Sequence, residues 1–221
     1  MNGMEVLLMK EDNKESFSDY YRDKHVTGTY DEQRLKTEYR RKKREIEMNT
    51  FLELLNIKDD ETILECGCSS GYMTQFLGEN VTAVDTSGDM IELAKQKNPA
   101  AEFHNLDMFK IDTLNKQFDK IVSKRVMTHL LPDELERFFK VVNKCLKDDG
   151  VFVFDVENKS LLRNLVRPIY VAIFRTTGFK TYQHDIRSIS KILDKAGFVV
   201  MSFKYFNHRV GKQLVIKAKK K

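Results

Sequence analysis

The sequence has little of what would place the protein outside the cell or across a membrane. Its three cysteines cannot build the disulfide framework of a secreted domain, and the spacing of Cys66, Cys68 and Cys145 is not that of a zinc quartet. No apolar stretch approaches the ~20 residues that a transmembrane helix needs. The first residues lack the basic segment that begins a signal peptide. A cytoplasmic location is therefore expected.

Proline and tryptophan are also scarce, with three prolines and no tryptophan among 221 residues. No Gly/Ser-rich linker and no internal repeat divides the chain, so we expect one main domain. Hydrophobic residues make up 41% and charged residues 32%, a balance that argues against disorder. The net charge of +5 is small for a dedicated nucleic-acid binder, so a nucleic-acid partner is not expected.

One basic run, residues 40–44, stands out against this near balance of charge. Glu38, Arg41 and Glu45 alternate in sign around it at helical spacing, which is typical of the solvated face of a helix. An RNA-binding or anionic-membrane patch is the alternative interpretation.

A long helix is predicted over residues 31–55. After it, the chain alternates between short apolar runs and amphipathic segments. The apolar runs predict strands at 62–66, 81–84, 102–104, 120–123 and 151–154. The amphipathic segments predict helices at 70–77, 88–97, 133–147 and 186–196. Two β-rich runs, 198–206 and 213–218, then indicate a hairpin. This order predicts an α/β fold with a mostly parallel sheet covered by helices on both faces.

Carboxylates and glycines follow the first predicted strands where each strand ends. Glu65 opens the run Glu-Cys-Gly-Cys-Ser-Ser-Gly, which contains Gly67 and ends at Gly71. Asp85 follows the second strand, twenty residues after Glu65, and Asp107 follows the third. Ligands of doubly wound sheets bind at the carboxyl ends of the strands, so these residues are expected to surround one ligand.

Two common nucleotide-binding motifs are absent. A dinucleotide fingerprint would need glycine where the chain has Ser69 and Tyr72, and the Gly-Lys-Ser/Thr triplet of a P-loop does not occur. An acidic residue at the loop would also repel a pyrophosphate. The remaining pattern suits a ligand with a cationic end, a ribose diol and an adenine amino group, as in S-adenosylmethionine.

With these motifs the chain resembles the class I S-adenosylmethionine-dependent methyltransferases. The matching segments follow the family's order at residues 63–71, 81–94, 105–108, 118–123, 146–154 and 193–198. The chain departs from the family at Ser69, where glycine is usual. The resemblance implies a Rossmann-like, doubly wound sheet of seven strands in a three-layer α/β/α fold, mostly parallel with an antiparallel C-terminal hairpin.

The resemblance also implies a division of the chain. Residues 1–55 would form an N-terminal helical cap, and residues 56–221 would form the methyltransferase domain. Within that domain, residues 158–185 would be a lid insertion on the substrate side.

The cofactor implied is S-adenosylmethionine, with S-adenosylhomocysteine as the product. Asp85 would accept hydrogen bonds from both ribose hydroxyls, Asp107 would accept one from the adenine amino group, and Glu65 would attract the ammonium group. The expected cofactor-binding residues are Glu65, Gly67, Cys68, Ser69, Gly71, Asp85, Thr86, Met90, Asp107, Met108, Ser123 and Lys124.

Each of these positions also has a purely structural interpretation. Gly67 and Gly71 could serve only a tight turn, and Asp85 could cap a helix. Asp107 could be an ordinary loop carboxylate, and Met90 could be a core residue.

Methyl transfer asks little acid–base chemistry of the protein. The sulfonium is already an activated electrophile, so catalysis depends mainly on in-line placement of the acceptor. A base is required only for a protonated acceptor such as a hydroxyl. His129 is the candidate catalytic residue because it follows the fourth strand, although a structural or water-bridging histidine is the simpler interpretation. No metal is expected.

Two segments are expected to select the acceptor, residues 1–30 and 158–185. The second is apolar and basic, and its part at 161–175 suits an amphiphilic or anionic acceptor or a peripheral membrane contact. A pair of core-packing helices with exposed arginines is the alternative. The expected substrate-side residues are Tyr21, Tyr30, Arg125, Arg163, Arg167 and Tyr170.

The predicted function is methyl transfer from S-adenosylmethionine to a small-molecule or lipid-like acceptor. The chain lacks the Asn-Pro-Pro-aromatic motif of nucleobase amine methylation and the Pro-Cys pair of cytosine C5 methylation. An RNA methyltransferase and a non-catalytic S-adenosylmethionine sensor remain the alternatives. The sequence does not indicate the oligomeric state.

Overall fold

The structure is a computed structural model that describes residues 35–158, 182–208 and 211–221. Its strands are β1 (Ile63–Cys66), β2 (Val81–Asp85), β3 (Glu102–Asn105), β4 (Phe118–Ser123), β5 (Leu146–Asn158), β6 (Gln183–His184), β7 (Phe198–His208) and β8 (Gly211–Lys220). Its helices are α1 (Glu38–Leu55), α2 (Gly88–Lys97), α3 (Pro132–Cys145) and α4 (Ile186–Lys195). Short 3-10 helices lie at Thr74–Phe76, Met108–Leu114 and Met127–His129.

All described strands form one sheet, whose main path runs β3-β2-β1-β4-β5-β8-β7. Strands β1 to β5 pair in parallel, whereas β8 is antiparallel to both of its neighbours, β5 and β7. The predicted mostly parallel sheet with an antiparallel C-terminal hairpin is therefore confirmed. The two-residue strand β6, which pairs with β5 off the main path, was not predicted.

Helices cover both faces of the sheet and create two separate cores. On one face, α1 packs Phe51 and Leu55 against Val122, Val153 and Val215 of β4, β5 and β8. On the other face, α3 packs against β5 through a cluster of phenylalanines, and α4 adds aliphatic side chains to the same core. The rings of Phe139 in α3 and Phe154 in β5 lie with their centroids 4.9 Å apart. Such ring pairs add roughly 0.5–1.5 kcal/mol beyond the area they bury, so this cluster fixes α3 on the sheet.

Three predicted helices differ from the structure. Helix α1 begins at Glu38, because the Thr37 hydroxyl accepts a hydrogen bond from the Arg40 amide and caps the helix there; the start predicted at residue 31 lies outside the described residues. The helix predicted at 70–77 is wrong: Gly71 has φ +73°, which a right-handed helix cannot contain, and only the 3-10 turn at Thr74–Phe76 forms. The helix predicted at 133–147, which is α3, ends at Cys145, two residues earlier than predicted.

No helix within the described ranges combines the length and apolar content that a bilayer span requires.

Asp119 lies near the N-terminal end of β4, at the opposite end of the parallel strands from the predicted ligand site. It joins β4 to Thr62, the residue that precedes β1. Its Oδ2 accepts hydrogen bonds from the Thr62 amide (2.9 Å) and the Thr62 hydroxyl (2.7 Å), and Lys147 lies 2.7 Å away. Partial burial opposes the charge, but the Lys147 and Thr62 hydrogen bonds outweigh it and lower the pKa of Asp119 to about 2. Asp119 therefore remains ionised in the folded protein over the physiological pH range.

Asp119→Asn is expected to lower the free energy of unfolding at pH 7 by about 1.5–3 kcal/mol, the range for hydrogen bonds to a charged group. Because the folded-state pKa of Asp119 is depressed, its stabilisation is present above pH ~4 and is lost as the pH falls toward 2. Chemical denaturation at pH 7 and pH 2.5 measures this change. The control is Asp112→Asn, a more exposed carboxylate paired with Lys144, which should cost no more than about 1 kcal/mol. An equal loss for Asp119→Asn at both pH values would contradict the interpretation.

Candidate functional site

A cavity of about 190 Å³ lies at the carboxyl ends of β1, β2 and β4. Most of its residues come from the loops that follow these strands, and one comes from α1. The lining residues are Arg44, Glu65, Gly67, Cys68, Ser69, Ser70, Tyr72, Met73, Val84, Asp85, Thr86, Met90, Leu106, Met108, Lys124, Arg125, Val126 and His129.

The loop after β1 is bound tightly to the end of β2. The amides of Gly67 and Cys68 both donate to the carbonyl oxygen of Val84, at 2.8 and 3.1 Å. Gly67 has φ +77°, and a Cβ there would lie 2.4 Å from a methyl group of Val126. Only glycine fits this position without movement of its neighbour. Ser69 also has positive φ (51°), which explains why glycine is usual here in the family that the sequence resembles.

Asp85 is the acceptor that completes this loop. Its Oδ2 accepts from the Ser69 amide at 2.8 Å, and its Oδ1 accepts from the Ser87 amide at 2.9 Å. Each carboxylate oxygen has a second lone pair, so both can accept one further hydrogen bond from a ligand in the cavity. Burial outweighs the backbone hydrogen bonds and raises the pKa of Asp85 above its ordinary value. Both oxygens of a half-buried acceptor are thus available at one wall of the cavity.

Glu65 lies deeper, and its side chain is buried. The Thr74 hydroxyl donates to its Oε2 at 2.6 Å. Burial, with a smaller contribution from the negative charge of Asp85, raises the pKa of Glu65 to about 8, although Thr74 and Lys124 act in the opposite direction. At neutral pH this carboxyl group is mostly protonated, and a cation placed beside it would favour its ionised form.

The remaining walls are apolar on the β2–β3 side and basic on the β4 side. Met90, Leu106 and Met108 provide the apolar surface. Lys124 and Arg125 follow β4 and provide the basic one. The cavity therefore combines carboxylate acceptors, a deeply placed acid and an apolar surface within one enclosure.

Most of the expected cofactor-binding residues come together in this cavity. Those that line it are Glu65, Gly67, Cys68, Ser69, Asp85, Thr86, Met90, Met108 and Lys124.

Three expected cofactor-binding residues have other contacts and do not line the cavity. Gly71 is close-packed, since a Cβ there would lie 2.6 Å from the Asn98 side chain. The exposed side chain of Asp107 accepts from the Phe109 amide and caps the following 3-10 helix. The Ser123 hydroxyl is buried and donates to the Cys66 carbonyl oxygen at 2.8 Å, joining β4 to β1.

On the substrate side, His129 and Arg125 line the cavity. The other expected substrate-side residues, Tyr21, Tyr30, Arg163, Arg167 and Tyr170, lie outside the described residues.

Sequence reasoning missed the pair formed by Arg44 and Tyr72. The guanidinium carbon of Arg44 lies 3.5 Å from the centroid of the Tyr72 ring, a cation–π contact that joins α1 to the loop after β1. Arg44 belongs to the basic run 40–44, which was interpreted as a solvated face. Its helical spacing relative to the buried Phe51 was the available signal, because residues seven apart share one face of a helix.

Comparisons with known proteins agree with this geometry. Residues 64–154 match the family model described as a methyltransferase domain. The chain is 30% identical over 174 residues to an uncharacterized methyltransferase, OB1106, of Oceanobacillus iheyensis, covering 72% of this chain and 78% of that protein. The chain belongs to the class I S-adenosylmethionine-dependent methyltransferases.

Two further comparisons define the extent of the likeness. An uncharacterized protein of Methanocaldococcus jannaschii, MJ1252, is 29% identical over 167 residues, and the aligned region spans 66% of this chain but only 64% of that protein. The structure of magnesium protoporphyrin IX methyltransferase from Synechocystis, with bound S-adenosylhomocysteine, superposes with a TM-score of 0.72 at 19% identity. That superposition covers 95% of this chain and all of that one.

S-adenosylmethionine, the methyl donor of this family, fits the cavity by its chemistry. Asp85 offers two acceptor oxygens to a ribose diol, and Met90 and Met108 offer apolar surface to an adenine ring. Glu65 offers a carboxyl group whose ionised form a cation would stabilise.

Asp85→Ala is expected to weaken S-adenosylhomocysteine binding by about 1.5–3 kcal/mol, or roughly 10- to 150-fold, because both ribose hydroxyls lose a charged acceptor. Titration calorimetry measures the dissociation constant. Glu92→Ala, which removes the same charge from the exposed side of α2, should leave it unchanged. An unaltered constant in Asp85→Ala protein would mean that the cofactor binds elsewhere.

Binding of S-adenosylmethionine is expected to release a proton from Glu65 at pH 7. The pKa of Glu65 is about 8 in the free protein, and a nearby cation lowers it, so affinity should rise as the pH increases toward 8 and then level off. Calorimetry in two buffers of different ionisation enthalpy measures the number of protons released. Glu65→Gln should remove the Glu65 contribution, and identical proton release from both proteins would refute the assignment.

Proposed function

We propose that the protein transfers a methyl group from S-adenosylmethionine to a small-molecule or lipid-like acceptor by in-line displacement. One observation carries the proposal. The cavity that contains Asp85 and Glu65 also contains Arg125 and His129, which follow β4. Donor and acceptor can therefore lie in the same enclosed space, as displacement requires.

In this proposal each wall of the cavity has a separate task. Asp85 binds the ribose, Met90 and Met108 cover the adenine, and Glu65 faces the ammonium group. Ser123 and Gly71 act indirectly, because their contacts fix the β1–β4 pairing and the packing of the loop against α2. Asp107 lies between the lining residues Leu106 and Met108, and the turn that its side chain caps positions both of them.

When bound, S-adenosylmethionine supplies an electrophilic methyl group that needs no further activation. The protein's own contribution is then to hold the acceptor in line and to exclude water, and such positioning can supply up to ~7–11 kcal/mol in favourable cases. His129 lines the cavity and is the proposed base for an acceptor whose attacking atom carries a proton. For an acceptor that already carries a free lone pair, His129 has no proton to take.

A small or lipid-like acceptor is supported by the apolar content of the cavity, which includes Met73, Val84 and Leu106. The Synechocystis enzyme of similar fold is named for a magnesium porphyrin, which is also a small molecule. The predicted cap (1–55) and lid (158–185) complete the proposal. Of these, α1 is described, and it contributes Arg44 to the cavity wall.

The function is tested by measuring S-adenosylhomocysteine formation from S-adenosylmethionine with a panel of small-molecule and lipid-like acceptors. Turnover that requires an acceptor and is lost in Asp85→Ala protein is expected. Cofactor binding with no turnover across the panel would instead favour the sensor.

With a hydroxyl acceptor, His129→Gln is expected to lower kcat by about 10²- to 10⁴-fold, the usual contribution of a general base. Affinity for S-adenosylhomocysteine should change little, since a neutral polar side chain of similar size replaces the ring. His104→Gln, a change at an exposed histidine paired with Glu102 on β3, is the control and should leave kcat unaltered. An unchanged kcat for His129→Gln would remove the base role.

A further inference from the structure

A second cavity, of about 180 Å³, lies beside the cofactor cavity. We call it the basic pocket. Its lining residues are Arg40, Lys43, Arg44, Glu47, Lys124 and Arg125. The two cavities share Arg44, Lys124 and Arg125, so the basic pocket adjoins the space proposed for the acceptor.

The described residues that line the basic pocket are mostly cationic. They combine five cationic side chains with one carboxylate, that of Glu47. Glu47 lies 2.5 Å from Arg125, 3.4 Å from Lys124 and 3.8 Å from Lys43. Burial opposes its ionisation, but these three cations outweigh burial and hold the pKa of Glu47 below its ordinary value. Glu47 therefore holds Arg125, Lys124 and Lys43 together at one wall of the pocket.

Arg125 is positioned from a second direction by Asp155. The Arg125 backbone has φ +61°, and its amide donates to Oδ1 of the fully buried Asp155 at 2.5 Å. Burial raises the pKa of Asp155 to about 6, although Arg125 and Lys124 oppose the rise. Asp155 and Glu47 therefore hold Arg125 where the two cavities adjoin.

Lys124 is a largely buried cation at the wall of the pocket. Its side chain is only 12% exposed, although it carries a charge, and its one ion-pair partner among the described residues is Glu47, which it shares with Arg125 and Lys43. Burial, together with the charge of Arg125, lowers the pKa of Lys124 to about 8. A buried ammonium group is stable in a protein when it is paired, and an anion entering the pocket would provide a second partner.

We propose that the basic pocket binds an anionic group of the methyl acceptor, a carboxylate or a phosphate, and so directs the acceptor's opposite end into the cofactor cavity. This inference rests on the proposed function and specifies its substrate class. Arginine and lysine side chains around one concave surface match the oxygens of such groups.

The shape of the site favours a small anion over an RNA strand. Lys124 and Glu47 lie within the fold, where the continuous backbone of a nucleic acid cannot follow. Arg41 and Lys42 are exposed and do not line the pocket, so a surface contact with RNA would use them as much as the exposed Arg40.

The decisive experiment titrates the full chain, saturated with S-adenosylhomocysteine, with inorganic phosphate in a chloride-free buffer. Saturation with this ligand fills the cofactor cavity, including the position of the ligand's own carboxylate, so that phosphate can bind only in the basic pocket. Wild-type protein should bind one phosphate saturably. The double variant Arg40→Gln/Lys43→Gln should bind it at least tenfold more weakly. Neither residue lines the cofactor cavity, so affinity for S-adenosylhomocysteine should remain within twofold of wild type.

The matched control is Arg41→Gln/Lys42→Gln, which removes the same two charges from the exposed face of α1. It should bind phosphate within twofold of wild type. Equal weakening by both pairs would overturn the proposal, because it would reveal only the overall charge of the helix. If both pairs also weakened an RNA oligonucleotide equally, the helix would be a nucleic-acid surface.

Other outcomes separate this inference from the proposed function. Binding of S-adenosylhomocysteine without saturable phosphate binding refutes the anion site and leaves the methyltransferase proposal intact. Phosphate binding that disappears on saturation with S-adenosylhomocysteine also refutes it, since the pocket would then serve the cofactor. Failure to bind S-adenosylhomocysteine at all would count against the proposed function itself.

Further ligands then identify the source of the anion. The dissociation constants of acetate and phosphate show whether the pocket prefers a carboxylate or a phosphate. The dissociation constants of glycerol 3-phosphate and dioctanoyl phosphatidate compare a polar small molecule with a lipid that carries the same phosphate monoester. Tighter binding of the lipid by tenfold or more would point to a lipid acceptor, and equal binding would point to a polar one. A lipid headgroup and a free metabolite are thereby distinguished at the same site.

Discussion

The hydrogen bond from the Ser69 amide to the Asp85 carboxylate, 2.8 Å long, is the interaction on which the site depends. It connects the loop after β1 to the end of β2, and the two amides that donate to Val84 reinforce it. The loop fits between the end of β2 and the segment after β4 only because Gly67 has no Cβ to meet Val126. One carboxylate therefore both closes the loop and faces the cavity, and the geometry of the loop and the binding chemistry cannot vary independently.

Charge divides the active-site region into two unequal halves. The half near β1 and β2 contains acidic groups, of which Glu65 is held mostly protonated by burial. The half near β4 and α1 contains cations held in place by Glu47 and Asp155. A cationic donor and an anionic acceptor would each find the complementary half. The boundary between the halves lies at Lys124, which lines both cavities and contacts Glu47.

Much of the fold could be predicted because its signals are local. The first two strands are short apolar runs, one followed by Gly67 and the other ending at Asp85, so both strand ends could be assigned from the sequence alone. The helix at 70–77 was predicted wrongly because its apolar pattern is helical, while Gly71 adopts a left-handed conformation that the pattern does not reveal. The contacts of Ser123 and Asp107 also could not be read from the sequence, since they depend on which neighbouring atom each side chain reaches. Arg44 was missed for a related reason, because its place in the cavity is set by how α1 crosses the sheet.

The placement of β8 between β5 and β7 has a consequence for how the chain folds. Strand β7 is made first during synthesis, yet its only described partner in the sheet is β8, which follows it. Until β8 has left the ribosome, the edge of β5 and the whole of β7 have exposed, unpaired backbone groups. Strand β8 therefore completes both pairings, and a nascent chain halted just before it would present two open edges to other chains.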